Sequence, residues 1–290
     1  MKNENVNNEV FRGIELIYTD ISNDVEPILK KYENKRVLRI DHCREGRVER
    51  SVGEEFFYLE KGDMAVTSLK ERENSNFYPN NDYYGITILI DIDTAPKCLS
   101  CLLDDVNVKP EKLFDKFCVE RECFISRSSD SIEHIFAELY SVNENVRTGY
   151  TKIKVLELML FLSCTDTEQK EKKSYDPAQV ELAKNTSIYI SEHLADKITF
   201  NDITCRFHVS PTKLKNCFKG VYGVSVSAYI RSRKMQAAAQ LLRTTDETVL
   251  GISNRFGYDN GSKFASAFYK VTGKTPNEYR TEHREEVHFE

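Results

Sequence analysis

The stretch SNRFGYDNGSKFASAFYKVTGKTPNEYR, residues 253–280, decides the reading of this chain. Thr248 opens a short helix that runs to the Phe256-Gly257-Tyr258 turn, Asp259-Asn260 caps the next helix, and Gly273 stops that one ahead of Pro276. Phe264 and Phe268 stand four residues apart, so one face of the second helix is apolar while Ser262, Lys263, Ser266 and Lys270 face away. Two short capped helices joined by a glycine-containing turn predict a helix-turn-helix.

The same grammar occurs about fifty residues upstream. Thr199 precedes Phe200 to Phe207, His208-Val209 forms the turn, and Ser210-Pro211 supplies a cap with proline at the first helical position. The helix that follows ends at Gly220 or Gly223 and places Leu214, Cys217 and Phe218 on one side. Thr212, Lys213, Lys215, Asn216 and Lys219 occupy the other. A helix from Ser225 to Leu242, with Ile230, Met235, Ala238, Leu241 and Leu242, joins the two units and packs on both. Another, Gln179 to His193, precedes them.

The formal net charge of -5 argues against nucleic acid only until it is divided. Residues 199–280 hold 13 Lys+Arg against 5 Asp+Glu, so a basic region is joined to an acidic one. A cationic helix face rich in hydrogen-bonding groups suits a major groove, where long polar side chains read base edges and lysine neutralises phosphate.

Through Phe256-Gly257-Tyr258, Ser262-x-Phe264, Phe268-x-Lys270 and Thr272-Gly273-Lys274-Thr275-Pro276-x-x-Tyr279-Arg280, the chain resembles the AraC/XylS family of transcription regulators. Val209-Ser210-Pro211, Leu214, Phe218-Lys219 and Gly223 match in the first unit, and the resemblance covers about residues 188–280. It implies two recognition helices in successive major grooves, about one helical turn or ~34 Å apart. Carried over position by position, it makes Thr212, Lys213, Lys215, Asn216, Ser262, Lys263 and Ser266 base readers, and Lys219, Lys270, Lys274 and Arg280 phosphate contacts. Phe218, Phe256, Phe264, Phe268, Pro276 and Tyr279 read instead as core and turn residues. The chain departs from the family at Ser253, where alanine is usual, at Lys234, where arginine is usual, at mid-helix Gly251, and at Gly261-Ser262, which shorten the side chains opening the second recognition helix.

Ahead of this region the expected fold class is α+β. Val37 to Asp41, Glu55 to Leu59, Met64 to Thr67 and Gly85 to Ile90 are β-rich runs separated by turn residues. They predict a small barrel or sandwich over residues 1–128, and residues 40–49 with Gly62-Asp63 resemble the cupin-like sensory barrels of the same family. Helical spacing starts near Ser131, with Ile132, Ile135, Phe136 and Leu139 on one face, and residues 129–165 read as a dimerisation segment. Its second helix, about Tyr150 to Ser163, is apolar almost all round, and either a second copy or the barrel itself must cover it. Polar residues 166–177 read as a linker, and residues 178–290 as the DNA-binding domain.

At 290 residues the chain suits two domains. No apolar run reaches the roughly 18 residues of a membrane span, and Met1 to Val10 lacks the basic start and apolar run of a secretory signal, so a cytoplasmic protein is expected. The 8 cysteines then read as reduced thiols. Cys98, Cys101, Cys118 and Cys123 have the chemistry of a zinc or redox site without a recognisable ribbon, against which stand scattered thiols acting as small hydrophobes. His42 is the only histidine of the barrel region and reads as a satisfied side chain, so no catalytic residue, metal or cofactor is expected. The partners implied are a double-stranded DNA operator, a second copy, a small-molecule effector and RNA polymerase. The alternatives are a ligand-independent regulator, or a DNA-modifying or repair protein using the same module, for which no acceptor-cysteine motif or Ser/His/Asp constellation is present.

Overall fold

Alternation of apolar residues along the β-rich runs produces the sheet that the sequence calls for, in the first of two units, residues 1–177 and 178–290. The computed structural model describes residues 8–23, 29–32, 34–69, 77–97, 108–119, 123–167 and 173–287. The first unit contains β1 (Asn8–Phe11), β2 (Ile14–Asp20), β3 (Val37–Val52), β4 (Glu55–Glu60), β5 (Met64–Ser68), β6 (Tyr83–Asp91), α1 (Pro110–Phe114), β7 (Cys123–Ser126), α2 (Asp130–Ser141) and α3 (Arg147–Cys164). The sheet order is β1-β2-β6-β3-β5-β7, antiparallel throughout, with β4 paired to the distal half of β3.

The sheet does not close among the described residues, which corrects the expected barrel. Its path ends at β1 on one side and β7 on the other. The physical reason lies in β3, whose register shifts between Cys43 and Glu45 and whose second half leaves the main sheet to form a hairpin with β4. Gly46 makes that departure feasible: its φ is +79°, and a Cβ there would lie 1.9 Å from the Asp82 carbonyl oxygen.

One face of the sheet presents Leu16, Leu38, Ile40, Val66, Ile86 and Ile88 to Ile132, Phe136, Leu139, Val155, Leu158 and Met159 of α2 and α3. The helix expected to be apolar all round is thus largely covered by its own unit. Leu158 is buried and Phe161 half-buried, while Ile153 stays 61% exposed. Lys116 donates to the carbonyls of Leu162 and Ser163 at 3.0 and 2.9 Å, placing a cation on the C-terminus of α3.

The other face buries charge. Asp41 Oδ2 lies 2.7 Å from Arg39 Nε and 2.9 Å from Arg50 Nε, and Oδ1 accepts from Thr87 Oγ1 at 2.7 Å. Burial alone favours the neutral acid, but the two guanidiniums and the Arg50 and Thr87 hydrogen bonds prevail and hold the Asp41 carboxyl below its usual range. His42, on the helix-covered face, is buried with Nδ1 3.0 Å from the Tyr140 hydroxyl and its ring stacked on Phe136 at 4.1 Å. Burial, with Arg44 nearby, pushes its pKa down to about 4.

Residues 166–177 are not wholly a free linker. Tyr175 exchanges backbone hydrogen bonds with Phe56, both 2.9 Å, and its buried ring meets Tyr58 edge-on at 5.7 Å. Of the four cysteines weighed as a metal or redox site, Cys98 and Cys101 lie outside the described residues, Cys118 is half-buried and Cys123 buried. No described helix is long and apolar enough to cross a membrane.

Replacing Asp41 by Ala leaves two guanidiniums without their buried carboxylate, and urea unfolding of the variant should show a loss of about 3–5 kcal/mol. Because the folded pKa is depressed, the carboxylate's contribution is complete above the unfolded value of about 4 and is lost as pH falls through the folded one. Wild-type stability should therefore drop below about pH 4, and the Asp41→Ala protein should show a smaller drop.

Candidate nucleic-acid interface

The second unit consists of α4 (Pro177–Glu192, whose first residue closes the preceding unit), α5 (Phe200–Phe207), α6 (Pro211–Tyr222), α7 (Val226–Thr244), α8 (Val249–Arg255), α9 (Gly261–Thr272) and α10 (Pro276–Val287). Local chemistry fixes most of these boundaries. Thr199 and Asp202 form a reciprocal capping box on α5, with the Asp202 amide donating to Thr199 Oγ1 at 3.2 Å and the Thr199 amide to Asp202 Oδ2 at 2.8 Å. His208 makes the turn at φ +52°, after which Ser210 Oγ accepts the Lys213 amide at 3.2 Å and Pro211 begins α6. Gly223, not Gly220, ends that helix in the left-handed conformation.

The second pair repeats the pattern. Thr248 caps α8 through the Gly251 amide at 3.0 Å, and Asn260 Oδ1 accepts the amides of Ser262 and Lys263 at 2.8 and 3.2 Å. Gly273 closes α9 with its amide on the Tyr269 carbonyl at 2.8 Å. Ser253 is fully buried, and its hydroxyl donates 3.0 Å across the turn to the Tyr258 carbonyl, so a polar group at this position costs no unmet hydrogen bond.

Burial separates the two faces of each second helix. Leu214, Cys217 and Phe218 are inside, with Phe218 4.6 Å from Tyr222 and 5.2 Å from Tyr229, while Thr212, Lys213, Lys215, Asn216 and Lys219 are exposed. Phe264 and Phe268 are inside with Met235, Ala238, Leu242, Ile252 and Phe256, while Ser262, Lys263, Ser266 and Lys270 are exposed. The base-reading candidates therefore form two solvent-facing sets, one on α6 and one on α9.

The cations divide by partner as well as by position. Lys213, Lys215, Lys219, Lys263 and Lys270 are exposed, and none enters an ion pair among the described residues. Lys274 is half-buried and bonded to Glu282, and the half-buried Arg280 guanidinium donates to the Glu247 carbonyl just ahead of α8. Both were expected on phosphate, and the fold engages both internally.

The sequence marks Lys234 only as a departure from the family and does not single out Arg231. Lys234 of α7 is buried, and its ammonium donates to the Asp196 carbonyl at 3.1 Å and the Phe256 carbonyl at 3.0 Å, tying the turn after α4 to the end of α8. Burial lowers its pKa. Arg231, one turn earlier, is exposed. The i, i+4 recurrence of polar Ser227 and Arg231 on one side of α7 was the signal available for it.

A family model described as a helix-turn-helix domain matches residues 203–282. The chain is 32% identical over 149 residues to the HTH-type transcriptional activator RhaR of Mannheimia succiniciproducens, a match covering 50% of this chain and 51% of that one. It is 27% identical over 166 residues to the arabinose operon regulatory protein of Escherichia coli strain K12, covering 56% of each. The chain spans only about half the length of these two relatives. Among solved structures, the C-terminal domain of AraT, a response regulator from Geobacillus stearothermophilus, is 31% identical with a TM-score of 0.34, covering 34% of this chain and 84% of that one.

The Lys234→Met variant keeps the length of the side chain and removes its donors, leaving two carbonyls unmet. Its unfolding free energy should fall by about 1–3 kcal/mol in denaturant titration, whereas Lys219→Met, at an exposed site without an ion pair, should change it by less than about 0.5 kcal/mol.

Proposed function

We propose that the chain, whose helix-turn-helix domain is similar to those of AraC/XylS-family transcription regulators, is a sequence-specific regulator that binds duplex operator DNA through α6 and α9. The observation that carries this reading is the pair of capped helices whose outward faces hold Lys213, Lys215, Asn216, Lys263 and Lys270, all exposed and without ion pairs among the described residues. An exposed lysine without a carboxylate partner is available to displace counterions from the phosphate backbone, and an exposed asparagine is available to a base edge. Thr212, Ser262 and Ser266 supply shorter hydrogen-bonding groups on the same faces.

The two helices divide the work. α6 carries the long side chains that reach base edges, since Asn pairs bidentately with adenine and Lys donates to guanine O6 and N7. α9 opens with Gly261 and Ser262 and supplies mainly affinity, with Lys263 as its one long base-reading group. Lys219 and Lys270, in the last turns of their helices, sit on phosphate.

The first unit is proposed as the sensory and dimerising part, for which the resemblance of residues 40–49 to sensory barrels is the support. Any second copy has to dock where α3 is still apolar, at Ile153 and neighbouring Val146, 61% and 56% exposed, rather than at buried Leu158. Sedimentation of the full chain should show a dimer that Ile153→Asp weakens, and a monomer at high concentration removes this part of the reading.

The DNA-binding reading is tested by isotherms on a duplex selected from a random pool and on its single-base variants. Asn216→Ala should cost about 1–3 kcal/mol on the selected site and relax preference at particular base pairs. Lys270→Ala should weaken all sequences alike and make the salt slope shallower by about one. If Lys263→Ala or Ser266→Ala destroys base preference while Asn216→Ala leaves it intact, α9 is the principal reader and the assignment is reversed.

A further inference from the structure

The outward side of the second helix pair contains a cleft of about 380 Å³ whose walls come from three elements. Arg231 enters from α7, Tyr258 from the turn after α8, and Asn260, Ser262, Lys263 and Lys270 from α9 and its cap. No carboxylate lines it. The side chains of Arg231, Lys263 and Lys270 are exposed and enter no ion pair or hydrogen bond among the described residues. Gly261, between lining residues Asn260 and Ser262, carries no side chain, and a Cβ there would meet nothing within 4 Å.

Three cations converging on one cleft repel one another and gain nothing from the protein, so the arrangement favours an anion brought from outside. The kind of anion follows from where the cations stand. Lys263 lies on the recognition helix, but Arg231 lies on the connecting helix, outside the element that enters the groove. Flanking elements of a helix-turn-helix meet the sugar-phosphate backbone, and it is backbone contacts that set register. A guanidinium suits this position, because its planar fork matches two phosphate oxygens, while the neighbouring phenol and hydroxyls donate further hydrogen bonds. The Tyr258 phenol is protonated at neutral pH and so can donate, and burial raises its pKa further against the opposing effect of nearby Arg231.

We propose that Arg231 grips a phosphate of the operator backbone inside this cleft, with Tyr258 and Lys270 as co-donors, so that the connecting helix is itself part of the DNA interface. The proposal rests on the DNA-binding reading above and extends it. It assigns α7 a second role, in which the helix that spaces the two units also fixes the depth at which α9 sits in its groove. It also accounts for short side chains at the start of α9, which leave room for the strand to approach.

The test uses the full chain and isotherms across a salt series, with the selected duplex and its single-base variants, for wild type, Arg231→Ala and Arg231→Lys. Arg231→Ala should weaken every sequence by the same factor, reduce the salt slope by about one and leave the thermal midpoint unchanged. Arg231→Lys should restore the slope while recovering only part of the affinity, since an ammonium keeps the charge but not the fork. A steep wild-type slope that Arg231→Ala leaves unaltered overturns the proposal and spares the DNA-binding reading. So does a loss of affinity that follows a lowered thermal midpoint and is not rescued by lysine, or a change confined to particular base pairs. A wild-type chain that selects no duplex overturns the DNA-binding reading itself.

Discussion

The Lys234 ammonium, buried between the carbonyls of Asp196 and Phe256, is the interaction on which the arrangement of the second unit turns. One carbonyl belongs to the turn between α4 and α5 and the other to the end of α8, so a single side chain of α7 ties the segment entering the first helix pair to the second pair. Hydrogen bonds to a charged group are worth about 1.5–3 kcal/mol each, and taking an ammonium out of water costs several kcal/mol. The net gain is therefore small, and what the contact supplies is geometry. Met235, Ala238 and Leu242 supply the adhesion, packing on Ile252, Phe256, Phe264 and Phe268, but an apolar surface alone tolerates sliding. Two directed bonds from one point on α7 do not.

The first unit shows the same division between adhesion and direction. Its helix-covered face is an aliphatic core, whereas the opposite face organises Arg39, Arg50 and Thr87 around Asp41. Arg39 and Asp41 sit on the proximal half of β3, and Arg50 lies beyond the bend, on the half that pairs with β4. The carboxylate thus holds the two halves of one strand against each other, and Gly46 lets the chain bend between them. The β3–β4 hairpin that this cluster fixes lies off the path of the main sheet, whose ends at β1 and β7 do not meet among the described residues.

How far the sequence was legible depends on whether a feature is decided locally. Caps at Thr199, Ser210, Thr248 and Asn260 involve partners two or three residues away, and each stood where the capping residues indicated. The apolar faces of α2, α6 and α9 were equally plain, because helical periodicity is a short-range signal. Closure of the sheet was not, since it depends on which strand β3 accompanies after Gly46. Nor were the fates of individual cations: Lys234, Lys274 and Arg280 look in sequence like Lys219 and Lys270, and only the positions of Asp196, Phe256, Glu282 and Glu247 tell them apart. Tyr175 went unread for the same reason, its partner Phe56 being more than a hundred residues distant.

That sorting of cations bears directly on what the second unit does. The fold uses Lys234, Lys274 and Arg280 to hold helices together, each on a carbonyl or carboxylate of its own unit. Among the cations without an ion pair among the described residues, Lys213, Lys215, Lys219, Lys263 and Lys270 share the outward faces of α6 and α9, and Arg231 stands on α7. Internal engagement weakens a cation's claim on an external anion, because a carboxylate screens Lys274 and backbone carbonyls take donors of Lys234 and Arg280. On the proposed reading, a count of basic residues thus overstates the charge available to DNA, and their placement is the better guide. The excess of 13 basic over 5 acidic residues in 199–280 signals the interface in sequence, but the working charge is the smaller set that the core does not recruit.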